Sequence, residues 1–228
     1  MLIIIDSKSP KQSKDKLKNY GDLIEFSSSY LTYKAISGHP DIFFCKINNN
    51  LIVAPNTPEK YRQSLMTKGI SFILGAKSVG KIYPESAIYN AVINKNQLIH
   101  NLQITDKVIL ECTKQLKSIS VKQGYTKCNL LSLGNDAFIT SDIGIFTILK
   151  KNDLNVLYVI PEKIILQGYT SGFFGGACGM MDNIVFINGN LDYYPDGRKV
   201  RKFIKGQKYK IVELYNGPLF DGGGILLL

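Results

Sequence analysis

The sequence predicts an α/β propeller, a five-fold pseudo-symmetric ring of ββαβ modules that forms a single domain over residues 1–228. Two observations predict this fold. Pairs of short apolar strands recur along the chain, each pair ending in an Asn or Asp, at positions 6, 56, 101, 142 and 190. A polar segment of helical character and one more short apolar strand follow each of these positions. The same pattern leaves open a general α+β domain with regular turns.

The strand pairs are recognised by the turns between them. Four complete pairs span residues 38–56, 83–101, 125–142 and 172–190, and we number these copies as modules 1 to 4. Asn, Asp and Gly tolerate the positive φ of hairpin turns, and the turns here read Asn48-Asn49-Asn50, Asn94-Lys95-Asn96, Gly134-Asn135-Asp136 and Asp182-Asn183.

Module 5 is predicted to be split between the two ends of the chain. Residues 220–228 supply its first strand, and residues 1–6 supply the partner strand. Pairing the first strand of the chain with the last closes the ring and hides the edge that an open array leaves exposed.

The remainder of each module is predicted to be a helix and a final strand. Pro after Ser or Thr favours helix starts at Ser9-Pro10 and Thr57-Pro58. The other predicted helices are Thr105–Leu116, Ser141–Lys151 and Pro195–Ile204. The predicted final strands are Leu23–Phe26, Ile70–Leu74, Ile119–Val121, Val156–Ile160 and Tyr209–Leu214.

Composition excludes several classes of protein. With 45% hydrophobic and 20% charged residues, the chain is not expected to be disordered, collagen-like or a charged coiled coil. Apolar runs such as Leu2–Ile5 and Ile225–Leu228 are far shorter than the roughly 20 residues of a membrane span. The first residues lack the basic segment of a signal peptide. We therefore expect a cytoplasmic protein with no membrane partner.

The chain is basic, with a formal net charge of +10. A basic surface can attract nucleic acid, although scattered lysines are also typical of solvated helix faces. The densest basic patch has few aromatic residues between its charges and is a weak RNA signal. Its members are Arg198, Lys199, Arg201, Lys202, Lys205, Lys208 and Lys210.

The cysteine and histidine content predicts no metal site and no cofactor. The sequence has four cysteines and two histidines, His39 and His100, without the close Cys spacing of a zinc site. We expect reduced thiols, and three of them are predicted to pack as small hydrophobic residues: Cys45, Cys112 and Cys128. Cys178 stands between glycines, in Gly175-Gly-Ala-Cys-Gly179.

Five ββαβ modules in a closed ring resemble the pentein superfamily, also called the guanidino-group-modifying fold, over essentially the whole chain. Its members include arginine deiminases, amidinotransferases, dimethylarginine dimethylaminohydrolases and the non-enzymatic, ribosome-binding translation initiation factor six. The resemblance implies that the segment entering each first strand faces a central channel. These segments carry His39 and Asp41, Glu85 and Ser86, Tyr125 to Cys128, Gly175 to Cys178, and Asp221 to Gly224.

The chain departs from the enzymes of this superfamily at two positions. The enzymes carry a nucleophilic Cys in the segment that here reads Asp221-Gly-Gly-Gly-Ile-Leu-Leu-Leu228, which has none. They also place a catalytic His where Tyr125 stands, although Lys127 matches. Asp41 looks like the acid that recognises the substrate. The usual deiminase or hydrolase chemistry is therefore not expected.

Two functions from different classes remain. The first is a small-molecule-binding protein or divergent enzyme whose channel takes a cationic or guanidino, amino-acid-like ligand. Its candidate catalytic residues are Cys178 as a displaced nucleophile and His39 as its base, with a structural role as the alternative for each. Its candidate ligand-binding residues are Asp41, Glu85, Lys127 and Asp221, since paired carboxylates suit a guanidinium group. The second function is a non-catalytic interaction module that binds ribosome or RNA through the basic surface.

Overall fold

The computed structural model describes residues 1–29, 31–47, 50–134 and 136–228. Three of the predicted turn residues, Asn48, Asn49 and Asn135, lie outside these ranges. Within them, no helix has the length and apolar character that crossing a membrane requires.

The described residues form short strands and helices that alternate along the chain. The strands are β1 (Leu2–Asp6), β2 (Asp22–Phe26), β3 (Phe44–Ile47), β4 (Asn50–Val53), β5 (Ile73–Leu74), β6 (Val92–Ile93), β7 (Gln97–His100), β8 (Lys117–Ser120), β9 (Leu130–Ser132), β10 (Ala137–Thr140), β11 (Asn155–Tyr158), β12 (Ile164–Ile165), β13 (Cys178–Met181), β14 (Ile184–Ile187), β15 (Lys210–Glu213), β16 (Leu219–Phe220) and β17 (Leu226–Leu227). The helices are α1 (Lys11–Leu17), α2 (Glu59–Thr67), α3 (Lys107–Cys112), α4 (Thr126–Asn129), α5 (Ile143–Lys151) and α6 (Gly197–Gly206).

Five three-stranded sheets share one topology. Their strand orders are β17-β1-β2, β3-β4-β5, β6-β7-β8, β9-β10-β11 and β13-β14-β15. In each sheet the middle strand pairs antiparallel with the first strand and parallel with the last. A helix connects each parallel pair, because parallel neighbours need a long crossover. The predicted strand, strand, helix, strand order is confirmed in all five modules.

The predicted pairing of the two end strands is also confirmed. Strand β17 runs antiparallel to β1, with Ile3 opposite Leu227. The backbone groups of Leu2 and Leu228 exchange hydrogen bonds of 3.0 and 2.9 Å beside this pair. Strands β12 and β16 form a separate parallel pair.

The middle strands are buried on both faces, which explains why they read as continuous apolar runs rather than as alternating patterns. In β1, Leu2 and Ile4 pack into a large cluster that includes Phe26. Ile3 and Ile5 point the other way, into a second cluster around residues such as Leu17 and Phe186.

At or just beyond the end of each middle strand, the side chain of the recurring Asn or Asp accepts a hydrogen bond from the backbone of the segment that follows. Asn56 exchanges two hydrogen bonds of 2.9 Å with the backbone of Val79. Asp142 caps α5 by accepting a 2.8 Å hydrogen bond from the backbone N–H of Ile145. The repeat seen in the sequence is therefore a repeat of side-chain to backbone anchoring.

Two predicted final strands begin later than the sequence indicates. Ile70 is not in a strand, because its N–H donates to the carbonyl of Leu65 at 2.9 Å and ends α2. The N–H of Tyr209 bonds in the same way to the carbonyl of Ile204 at the end of α6, at 3.2 Å. The apolar residue after each helix thus belongs to the helix cap rather than to the strand.

Candidate functional site

His39 and Asp41 are positioned by the segment that leads into β3. Pro40 favours an extended conformation at the preceding residue, and His39 has φ −71° and ψ 113°. Asp41 lies in a single 3₁₀ turn, Pro40–Ile42. The two side chains are only 1% and 7% exposed. Groups as polar as these need partners when they are buried.

His39 lies between two carboxylates without bonding to either. Its Nε2 is 3.9 Å from Oδ2 of Asp6 and 4.0 Å from Oδ1 of Asp221, distances too long for hydrogen bonds. Among the described residues, neither ring nitrogen has a hydrogen-bond partner. Burial lowers the pKa of His39 to about 3, so the ring is neutral. His100 differs, because its nitrogens lie 2.7 Å from Thr105 Oγ1 and 2.8 Å from the Gly124 carbonyl.

Asp41 contacts a thiol from another module. The Sγ of Cys128, in α4, donates to Oδ2 of Asp41 at 3.0 Å. Asn90 fixes this contact, because its amide donates to the Asp41 backbone carbonyl at 3.2 Å and accepts from the Cys128 N–H at 3.1 Å. Burial raises the pKa of Asp41 to about 6 and holds the pKa of the Cys128 thiol well above its ordinary value. Cys128 therefore differs from its predicted role as a plain small hydrophobic residue.

Two further carboxylates complete the buried cluster. Asp221 accepts hydrogen bonds from the backbone N–H groups of Phe173 and Gly223, at 2.9 and 3.0 Å. Asp6 accepts from the N–H of Lys8 at 2.7 Å. Burial raises the pKa of Asp221 to about 7 and that of Asp6 to about 6. Buried acids with raised pKa values are typical of functional sites and favour a bound cation.

The segment of three glycines after Asp221 brings bare backbone against this cluster. Gly223 has φ +67°, and a Cβ at this position would overlap the side chain of His39 and lie 2.7 Å from Oδ1 of Asp41. Only Gly adopts this conformation at no steric cost and leaves this space free.

A cavity of about 340 Å³ extends from this segment, and we call it the Asp41 cavity. Asp41, Lys127, Gly223 and Gly224 line it together with residues of β3, β6, β9, β13 and β17, the first strands of all five modules. These strand residues are Phe44, Cys45, Lys46, Val92, Ile93, Leu131, Ser132, Met180, Leu226 and Leu227. Apolar walls with a few convergent polar groups are typical of small-molecule sites.

Four of the predicted site residues lie at or next to the Asp41 cavity, and the other two, Glu85 and Cys178, do not line it. Asp41 and Lys127 line the Asp41 cavity, and His39 and Asp221 lie directly behind it. Glu85 is exposed and is not among the described residues that line the cavity. Cys178 is buried, and its thiol donates to the Phe174 carbonyl at 3.2 Å. Burial raises the pKa of Cys178 far above its ordinary value, which disfavours the thiolate that a nucleophile needs.

Three members of the cluster were not among the predicted site residues, although the segment from Tyr125 to Cys128 was expected to face the channel. Asp6 was recognised only as a recurring residue, although Gly38, whose Cβ would overlap its carboxylate, marks the close approach. Asn90 and Cys128 carry no motif, because their roles depend on a contact between two modules. A contact between residues so far apart in the sequence cannot be predicted from a local sequence pattern.

The sequence profile of a family of unknown function (DUF6873) matches residues 4–226 of the chain. No curated protein matches the sequence significantly.

Several solved structures are similar to this chain along most of its length. The amidinotransferase SxtG of Microseira wollei is 11% identical, with a TM-score of 0.54 over 93% of this chain and 88% of that chain. A dimethylarginine dimethylaminohydrolase of Pseudomonas aeruginosa in complex with citrulline is 9% identical, with a TM-score of 0.54 over 93% and 91%. The agmatine deiminase of C. jejuni with bound substrate is 10% identical, with a TM-score of 0.53 over 92% and 78%. The likeness confirms the pentein fold.

Proposed function

We propose that this chain, which belongs to the family of unknown function DUF6873, is a small-molecule-binding protein whose Asp41 cavity takes a cationic, amino-acid-like ligand such as a guanidino compound. One observation carries the proposal. Oδ1 of Asp41 is buried at the cavity, and no group of the described residues hydrogen-bonds to it.

The cationic end of the ligand is assigned to Asp41. A buried carboxylate oxygen without a donor is costly, and a guanidinium or ammonium group supplies both the donor and the opposite charge. Asp6 and Asp221 lie behind His39 and add negative potential once they ionise. A cation therefore gains more here than it gains at a surface carboxylate.

The opposite end of the ligand is assigned to the lysines of the cavity. Lys46 and Lys95 line it, and their charges favour a carboxylate, whereas the charge of Lys127 acts on Asp41 itself and favours its ionised form. The apolar walls between the lysines and Asp41 suit a short carbon chain. A ligand with a cation at one end, a carboxylate at the other and methylenes between them matches this distribution.

The arrangement of the modules agrees with a site at their common centre. Because the first strands of all five modules line one cavity, we propose that the modules stand around it as the predicted five-fold ring. The similar structures are of an amidinotransferase, a dimethylarginine dimethylaminohydrolase in complex with citrulline and an agmatine deiminase with bound substrate. Their reactions are not part of the proposal, because this chain has no Cys in the segment after Asp221 and has Tyr125 in place of the His.

The test is a thermal-shift and calorimetry panel with arginine, agmatine, citrulline, methylarginine and a short RNA, in buffer containing a chelator. A ligand at 100 times its Kd stabilises the folded state by roughly 2.7 kcal/mol, which moves the midpoint visibly. We expect a shift with at least one cationic amino-acid-like compound. Asp41→Asn should abolish it, and Glu85→Gln, which removes an exposed acid, should leave it unchanged.

Two outcomes contradict the proposal. One is a panel in which no small molecule shifts the midpoint. The other is a shift that Asp41→Asn retains. A response to RNA alone that weakens steeply with salt would favour the basic-surface alternative instead. That alternative has less support, because Arg201 pairs with Asp192 and Glu213 at 2.7 and 2.9 Å within the molecule.

A further inference from the structure

His39, Asp41 and Cys128 bring three kinds of metal-binding donor into one buried space. A ring nitrogen, a carboxylate oxygen and a thiol sulfur from these residues all lie within 4.8 Å of one another. Two separate segments supply them, the turn before β3 and helix α4. Nitrogen, oxygen and thiolate sulfur are the ligands that Zn²⁺ takes in proteins.

A second observation, independent of the distances between the three donor atoms, is that the buried His39 ring lacks hydrogen-bond partners. Its side chain is fully buried, yet neither Nδ1 nor Nε2 has a hydrogen-bond partner within the described ranges. His100, equally buried, has both nitrogens bonded. A buried imidazole without partners beside a thiol and a carboxylate lacks the group that would satisfy it.

We propose that His39, Asp41 and Cys128 bind a transition-metal ion of the zinc class. Asp41 Oδ2, which already faces the Cys128 sulfur at 3.0 Å, is the oxygen ligand, and Oδ1 stays on the side of the Asp41 cavity. Nδ1 is the ligand of His39, because Nε2 is the nitrogen within 4.0 Å of the Asp6 and Asp221 carboxylates. An N–H directed at a carboxylate is the usual second contact of a metal-bound His.

The charges of the site balance when the metal is bound. The Cys128 thiol loses its proton to solvent as the metal–sulfur bond forms. The thiolate and the Asp41 carboxylate together carry two negative charges, which match a divalent cation, and His39 stays neutral. A fourth coordination position remains for water. The two proposals share Asp41, but the metal site requires no organic ligand, so its test is made without one and its failure is distinguishable from that of the proposed function.

The test uses the purified full chain, stripped of metal with a chelator, and titrates it with Zn²⁺ and then with Co²⁺. We expect one equivalent of either metal to bind, and thiolate-to-cobalt charge-transfer absorption to appear. Cys128→Ser should remove this absorption and weaken zinc binding by at least about 100-fold. Loss of a residue that only hydrogen-bonds to a metal ligand already weakens metal binding by roughly 10- to 100-fold. Cys45→Ser, which removes a buried thiol that is not one of the three proposed ligands, should change neither the absorption nor zinc binding.

A measurement on the unaltered chain covers the case in which Cys128→Ser does not fold. X-ray absorption of the zinc-loaded protein should show one sulfur at about 2.3 Å and nitrogen or oxygen ligands at about 2.0–2.2 Å. Absence of stoichiometric zinc binding overturns the proposal. So does a zinc environment without sulfur, or cobalt absorption that disappears in Cys45→Ser and persists in Cys128→Ser.

Discussion

The protonation states of single residues govern this site, and burial sets them. Asp41, Asp6 and Asp221 all have raised pKa values because the protein around them disfavours charge. His39 has a lowered pKa for the same reason. The cluster is thus close to neutral at mildly acidic pH, and it gains negative charge in the range where most proteins work.

Binding of a cationic ligand should therefore depend on pH. Because the ligand needs the ionised form of Asp41, whose pKa is about 6, affinity should fall as pH drops below that value. The slope for one proton is about tenfold per pH unit. Asp221 ionises in the same direction, with a pKa of about 7, and His39 stays neutral. Calorimetry with arginine, which carries both the guanidinium and the carboxylate of the proposed ligand, measures the slope between about pH 5 and pH 8. Equal affinity across this range would contradict the assignment.

The sequence predicts part of this cluster and misses the remainder for a physical reason. The resemblance to the pentein superfamily placed His39, Asp41 and Asp221 in segments that face the channel, and their side-chain chemistry made them candidates. Cys128 lies in another of these segments, but its thiol was expected only to pack as a small hydrophobic residue, because its hydrogen bond to Asp41 depends on a contact between modules. Contacts between distant segments leave no periodicity in a single sequence.

At the scale of elements, three helices end in the same way. The residue after the helical cap has positive φ, and the next N–H reaches back to a carbonyl five residues earlier, as in Ile70 to Leu65. The residues with positive φ are Gly69 after α2, Asp153 after α5 and Lys208 after α6. Predictions of strand starts at Ile70 and Tyr209 were wrong, because hydrophobic patterning does not separate this cap contact from a strand.

Two substitutions test these helix ends, one that introduces Gly at a position of positive φ and one that removes it. Lys208 is exposed and has φ +65°, a conformation that costs a residue with a side chain about 1–2 kcal/mol. Lys208→Gly should stabilise the fold by about 0.5–1 kcal/mol, because the relief of this cost exceeds the extra conformational entropy that Gly gives the unfolded chain. Gly69→Ala should destabilise it by about 1 kcal/mol, although a Cβ there meets nothing within 4 Å. Urea denaturation measures both, and a loss of stability in Lys208→Gly would contradict this account.

At the scale of the molecule, the pairing of β1 with β17 is the contact that completes module 5. Leu227 is 2% exposed and packs with Ile3 and Ile5, residues of the opposite end of the sequence. The sequence predicted this pairing correctly, because residues 220–228 and 1–6 repeat the two halves of the strand pair found in the complete modules, including the closing acidic residue Asp6.

Truncating Leu227 should therefore weaken the whole fold. Leu227→Ala removes buried methyl groups, and we expect a loss of about 2–5 kcal/mol in the free energy of unfolding. Leu74→Ala is the matched control, since Leu74 also ends a sheet but is 47% exposed, and it should cost less than about 1 kcal/mol. Urea denaturation followed by circular dichroism compares the two. Similar losses would show that the end pairing is not a principal source of stability.

The pairing of β1 with β17 also has a kinetic consequence. Four of the sheets assemble from neighbouring residues, whereas this one requires two segments separated by almost the whole chain. Bringing such segments together has a high entropic cost and slows folding. Until β17 arrives, the apolar strand β1 presents unpaired backbone groups to its surroundings, and such edges recruit other chains. The interval before closure is therefore when this protein is most prone to aggregate.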